Sequence, residues 1–147
     1  KYAARQGYNP QGDVDLNYAN NFRLFRYAET LLNYAEMIVM HGQSPVGSLT
    51  AQAALDMVRE RAFGTSNPIP ATADNIKLER RREFVGEGMR FWDIVRWGDT
   101  SILTENLPEH NSVRTWNDNW KYLPIPQSEI DRTAGTEFAL QQNPGYN

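Results

Sequence analysis

Cysteine is absent from the 147 residues, which excludes disulfides, thiol nucleophiles and sulfur-ligated zinc. Histidine occurs only at His41 and His110, a thin basis for imidazole catalysis. Charge of neither sign dominates. Fifteen Lys and Arg stand against eighteen Asp and Glu, for a formal net charge of -3, which is not the electrostatic footprint of a nucleic-acid binder. No apolar run approaches the roughly 18 residues of a membrane helix, and no charged start leads into an apolar stretch as in a signal peptide. What is present, 40% hydrophobic and 22% charged residues, is the make-up of one packed domain. The chain begins at Lys1, which reads as a processed chain or the excised tail of something longer.

Residues 1–20 carry Gly7, Pro10, Gly12 and many amides without a sustained period, so they read as an irregular lead-in. From Phe22 to His41 one apolar row runs Phe25, Ala28, Leu32, Ala35, Val39 and a second runs Leu24, Tyr27, Leu31, Tyr34, Ile38. Two adjacent rows are wider than the stripe a helix with one wet side needs, so this helix is expected to have partners on two sides. Asn20 or Asn21 is its expected cap and Gly42 its stop. A second helix is expected from about Leu49 to Ala62, capped by Ser48 or Thr50 and ended by Gly64. Ala35, Ala51 and Ala54 let the two approach closely, giving an antiparallel hairpin of tetratricopeptide style. One such hairpin cannot cover its own apolar faces, so an apolar side of the first helix is expected to be exposed.

Pro68 and Pro70 interrupt the chain, and Thr72 or Asp74 restarts a helix that meets Gly86 and Gly88, where a break or kink is expected because interior glycine costs about 1 kcal/mol relative to alanine. After Gly98 the period is lost. The last 49 residues hold Pro108, Pro124, Pro126 and Pro144, and their aromatic content favours a segment that covers the helices over a free tail. The expected division is an irregular lead-in at 1–20, a helical core at 22–98 and an irregular cover at 99–147.

The densest charged constellation comprises Glu79, Arg82, Glu83, Glu87, Arg90, Asp93 and Arg96, with Arg80 and Arg81 among them. Glu79, Glu83 and Glu87 share one helical face, as paired acids or metal ligands would. The interleaved arginines hold carboxylates ionised and compete for their oxygens, whereas a general acid needs its proton held more tightly. The reading is therefore a structural ion-pair network, Glu79 with Arg82, Glu87 with Arg90, and Asp93 with Arg90 or Arg96. No catalytic residue, metal or cofactor is assigned. In the loop PEHNSVRTWNDNW, Trp116 and Trp120 are suited to stacking on pyranose faces while Asn117 and Asp118, with Asn111, Arg114 and Asn119, are suited to bonding hydroxyls. The same side chains could instead pin the loop.

Five segments occur in a particular order: RYAETLLNYAE from Arg26, AALDMVRERA from Ala53, ERRREFVGEGMRFWDIVRWGD from Glu79, YLPIPQSEID from Tyr122 and QNPGY from Gln142. Together, over about Phe22–Tyr146, they resemble the C-terminal region of the SusD/RagB family, with Asp56 and Phe63 as small departures. The resemblance implies a mostly α fold, a tetratricopeptide-like hairpin plus further helices, with a long irregular C-terminal segment wrapped over them. It implies a fragment of a surface lipoprotein of the outer membrane that captures oligosaccharides or peptides without turning them over. Its partners would be a TonB-dependent transporter barrel, the nutrient ligand and the N-terminal remainder of the same protein, which would carry the lipid anchor. Trp116, Trp120, Asn117 and Asp118 are candidates on their own chemistry and are not carried over from the family. The alternative is a generic tetratricopeptide-like protein-interaction module.

Overall fold

The computed structural model describes residues 24–107 and 112–146. The lead-in at 1–20, the Asn20 or Asn21 cap and His110 lie outside them. The described chain is mostly α and divides into two compact units, one ending at Glu83 and the other beginning at Phe84.

The first unit contains α1 (Tyr27–His41), α2 (Ala51–Phe63) and α3 (Ala73–Glu83). Helix α1 starts later than its apolar rows suggest. Arg26 takes the N-cap place with an extended backbone and no side-chain cap, because its guanidinium is engaged elsewhere, on Glu83. Leu24 and Phe25 thus precede the helix and stay exposed, Phe25 at 83%. The far end is as read: Gly42 is left-handed at φ 65°, and the amide of Gln43 closes back on Met37 O at 3.1 Å, the glycine-dependent helix stop. Helix α1 packs against both α2 and α3, the two partners its double row calls for.

Ala28, Leu31, Leu32 and Ala35 of α1 meet Ala51, Ala54, Leu55 and Val58 of α2 and Ile76 of α3 in the buried core. The connections are tied down by side chains. Tyr34 Oη donates to Leu49 O at 2.6 Å and accepts from the Val46 amide at 2.7 Å, drawing in the α1–α2 loop. Thr50 caps α2 through the Ala53 amide. Gln52 donates to Ile69 O and accepts from the Ala71 amide, both at 2.8 Å, and Thr72 Oγ1 accepts from the Asn75 amide where α3 begins.

The second unit opens with the expected interruption, Gly86 and Gly88 at φ 78° and 76°, a conformation that residues with a Cβ avoid. Helix α4 (Arg90–Trp97) follows, with Asp93 and Ile94 buried. A 3₁₀ turn at Thr100–Leu103 leads to an antiparallel pair, β1 (Glu105–Leu107) and β2 (Ser112–Arg114), in the register Glu105 to Arg114. A second 3₁₀ turn, Asp118–Lys121, precedes α5 (Gln127–Thr133). Beyond residue 98 the described residues are therefore irregular chain with short elements set into it. Three-residue strands and a seven-residue helix are too short to show a period, and Pro126 directly before α5 looks like a breaker while in fact standing at its N-cap.

Candidate functional site

Two constellations carry the chemistry, and the structure treats them differently. On α3, Glu79, Arg80 and Glu83 are all buried, and each finds its partner on another helix. Arg59 of α2 donates to Glu79 Oε2 at 2.7 Å, while its Nε holds Asn67 O at 2.6 Å. Glu83 is gripped twice, by Arg26 at 2.6 Å and by Arg61 at 2.6 and 2.7 Å. Arg80, 2% exposed, donates to Asn33 Oδ1 at 2.5 Å and lies 3.9 Å from Glu36.

The pairing expected within the helix, Glu79 with Arg82, gives way to pairing across helices: Arg82 is exposed. A carboxylate buried toward a neighbouring helix needs a cation that is buried with it, since an unpaired buried charge is far costlier than a missing surface pair. Glu87 and Arg90 lie in the second unit, half exposed. Asp93 of α4 pairs with Arg96, whose Nε and Nη2 reach Oδ1 at 3.0 and 2.9 Å. Carboxylates held this way are shape-giving groups, and both oxygens of Glu83 are taken.

The second constellation is the loop at residues 116–121. Trp116 and Trp120 meet edge to face, with ring centroids 5.9 Å apart and planes at 87°. Phe91 extends the row, 6.1 Å from Trp116 and 5.1 Å from Trp92. This continuation was not evident from the loop alone; the adjacent pair Phe91-Trp92 was the signal for it. The Trp116 amide donates to Thr104 Oγ1, and its indole N–H donates to Asp118 Oδ1 at 2.8 Å, the same oxygen that Lys121 approaches at 3.2 Å. These two contacts, the Trp116 hydrogen bond first and Lys121 second, hold the Asp118 carboxyl below its ordinary range. Asn117 Oδ1 accepts from the Asn119 amide at 2.9 Å, fixing the turn locally.

All four proposed sugar-contact residues therefore gather on one short turn. Part of their chemistry is used internally, as the pinning alternative requires. The remainder is an exposed Trp120 ring, 49% accessible, the Asn117 amide nitrogen as donor and the second Asp118 oxygen as acceptor. That is a flat apolar face flanked by one donor and one acceptor, the complement of a hydroxylated ring. Arg114 lies in β2, and Asn111 is outside the described residues.

The sequence model of the SusD family matches residues 1–146. SusD-like protein P25 of Formosa agariphila is 28% identical over 151 aligned residues, covering 91% of this chain and 27% of its own length. Among solved structures, surface glycan-binding protein A from Bacteroides fluxus superposes with a TM-score of 0.84 at 60% identity, over 98% of this chain and 31% of that one. Surface glycan-binding protein A from Bacteroides thetaiotaomicron in complex with laminarihexaose gives 0.68 at 42% identity, over 86% and 26%. The chain spans less than a third of the length of each of these relatives.

Proposed function

The chain belongs to the SusD family, and from that membership we propose that it is part of a surface glycan-binding lipoprotein of the outer membrane. Its parent captures oligosaccharides and hands them to a TonB-dependent transporter barrel. The observation that carries this reading is the 42% identity to a surface glycan-binding protein solved with laminarihexaose. The role is binding without turnover. Glu79 and Glu83, the acids best placed by spacing to act on a glycosidic bond, are buried and engaged by Arg59, Arg26 and Arg61, which supports a structural role for both. Within this chain the Trp116–Lys121 turn is the candidate contact, with Trp120 as the stacking face.

Calorimetry with laminarihexaose and a panel of other oligosaccharides tests the proposal. Saturable binding is expected, weakened about tenfold or more by Trp120→Ala, which is about 1.4 kcal/mol or more. A second reading, a protein-interaction module of tetratricopeptide type, draws on the α1–α2 hairpin and the exposed Leu24, Phe25 and Tyr27 at its start. Binding of peptide segments with no response to any saccharide would favour it and reject glycan capture.

A further inference from the structure

The QNPGY segment folds back on the stretch that follows the tryptophan turn, and it does so rung by rung. Gln142 brackets Ile125, donating to its carbonyl at 2.9 Å and accepting from its amide at 2.8 Å. Asn143 Nδ2 donates to Leu123 O at 2.7 Å, and Tyr146 Oη donates to Tyr122 O at 2.9 Å. Partners on the inner stretch are thus 125, 123 and 122, and a further contact, from Gly145, falls inside the turn itself. Gly145 lies directly on the Asn119 side chain. A Cβ added there would stand 2.8 Å from both Cβ and Cγ of Asn119, and Gly145 has φ 86° besides. Two independent constraints therefore demand glycine: a backbone angle that disfavours side chains and a neighbour with no room to spare.

Asn119 sits between Trp116 and Trp120. Its amide makes the Asn117 turn, and its carbonyl accepts from the Tyr122 amide at 3.1 Å. A four-residue 3₁₀ turn has little stability of its own, so its geometry must be imposed from outside. On one side Thr104 holds the Trp116 amide; on the other stands the returning tail.

We propose that the QNPGY tail is a latch that sets the relative pose of Trp116 and Trp120, with Gly145, Asn119 and Tyr146 as positioning residues for the ring face they present. Presetting that face lowers the ordering cost a ligand would otherwise meet on arrival. The consequence for binding rests on the reading of this turn as a glycan contact; the latch itself does not.

The test is fluorine NMR of the full chain carrying 5-fluorotryptophan. The four tryptophans give four signals, and Trp97→Phe, Trp116→Phe and Trp120→Phe assign three of them. Gly145→Ala is expected to shift or broaden the Trp116 and Trp120 signals and leave Trp97 in place. Tyr146→Phe, which deletes one hydroxyl and endangers folding least, shifts the same two signals by less. Asn119→Gly added to Gly145→Ala removes the Cβ and Cγ that crowd the new methyl and returns both signals part of the way, which a general loss of packing would not do. Unmoved Trp116 and Trp120 signals in both Gly145→Ala and Tyr146→Phe overturn the latch, as does a double variant no closer to wild type than Gly145→Ala alone. Laminarihexaose calorimetry on the same proteins separates the two claims. Signals that move together with a threefold or greater loss of affinity support both. Signals that move while affinity holds support the latch and reject the turn as a sugar contact.

Discussion

The two units are held together by different physics. Among the described residues, every buried apolar side chain except Phe84 and Ile94 lies before residue 84, as does every buried charged one except Asp93. The helical unit is a packed interior whose charges are buried and paired across helices. The C-terminal unit leaves Tyr122, Leu123 and Phe138 exposed and relies on side chains bonded to backbone, on aromatic edges and on one glycine contact. Its shape is specified by directional bonds more than by burial. The first kind of structure resists perturbation until a buried group is stranded. The second yields in small steps.

The comparison is broken most directly at Arg59. Arg59→Ala leaves the buried Glu79 carboxylate without its cation, at about 3 to 5 kcal/mol. At roughly 2 to 4 °C per kcal/mol for a chain of this length, melting followed by circular dichroism should fall by on the order of 10 °C. Replacing both members by hydrocarbon, Arg59→Met with Glu79→Leu, is expected to recover most of the loss. A double variant as unstable as the single would mean that the helical unit depends on the pair itself and not merely on avoiding a stranded charge.

A smaller effect is expected at Gln142, whose side chain makes two bonds to Ile125. Gln142→Ala should cost about 1 to 3 kcal/mol, two hydrogen bonds at about 0.5 to 1.5 each. Hydrogen exchange should localise that loss to residues 122–146 with α1–α3 protection intact. Loss of protection in α1–α3 would show that the two regions do not fail separately. Arg61→Ala should be milder still. Arg61 is 59% exposed and Glu83 keeps Arg26, so about 0 to 1 kcal/mol is expected in the same melting experiment.

The smallest effect concerns Asp118. Because the folded state holds its carboxyl below the ordinary value, the associated stabilisation is present above that value and disappears as pH falls through the folded one. Acidification below about pH 4, the ordinary Asp range, should therefore release the Trp116 indole proton. The NMR resonance of that proton should move there and hold steady at higher pH. A resonance indifferent to that titration would detach Asp118 from the turn.

Helix ends were legible because they obey local rules. Gly42, Thr50, Gly64 and the Gly86–Gly88 break each act through their own backbone or through an amide a few residues away, and the structure places them as read. The onset of α1 was not, because Arg26 answers to Glu83, 57 residues distant. One expected ion pair, Glu79 with Arg82, fails for the same reason, whereas Asp93 with Arg96, three residues apart, stands as read. Spacing along α3 favours Arg82 for Glu79, but only the packing of α2 reveals Arg59. At the candidate site the tryptophans and their polar companions could be named from composition. Their edge-to-face pose could not, since it depends on Gly145, 25 residues beyond Trp120 in the chain.

Arg80 has a consequence for how this interior can change. Its guanidinium is sealed from water, and it bonds to Asn33 beside Glu36. A hydrocarbon at position 80 would take the donor from Asn33 and the neighbouring cation from Glu36, while altering either of those would loosen the hold on the guanidinium. The three positions are thus coupled, so that a change at one narrows what its neighbours can be.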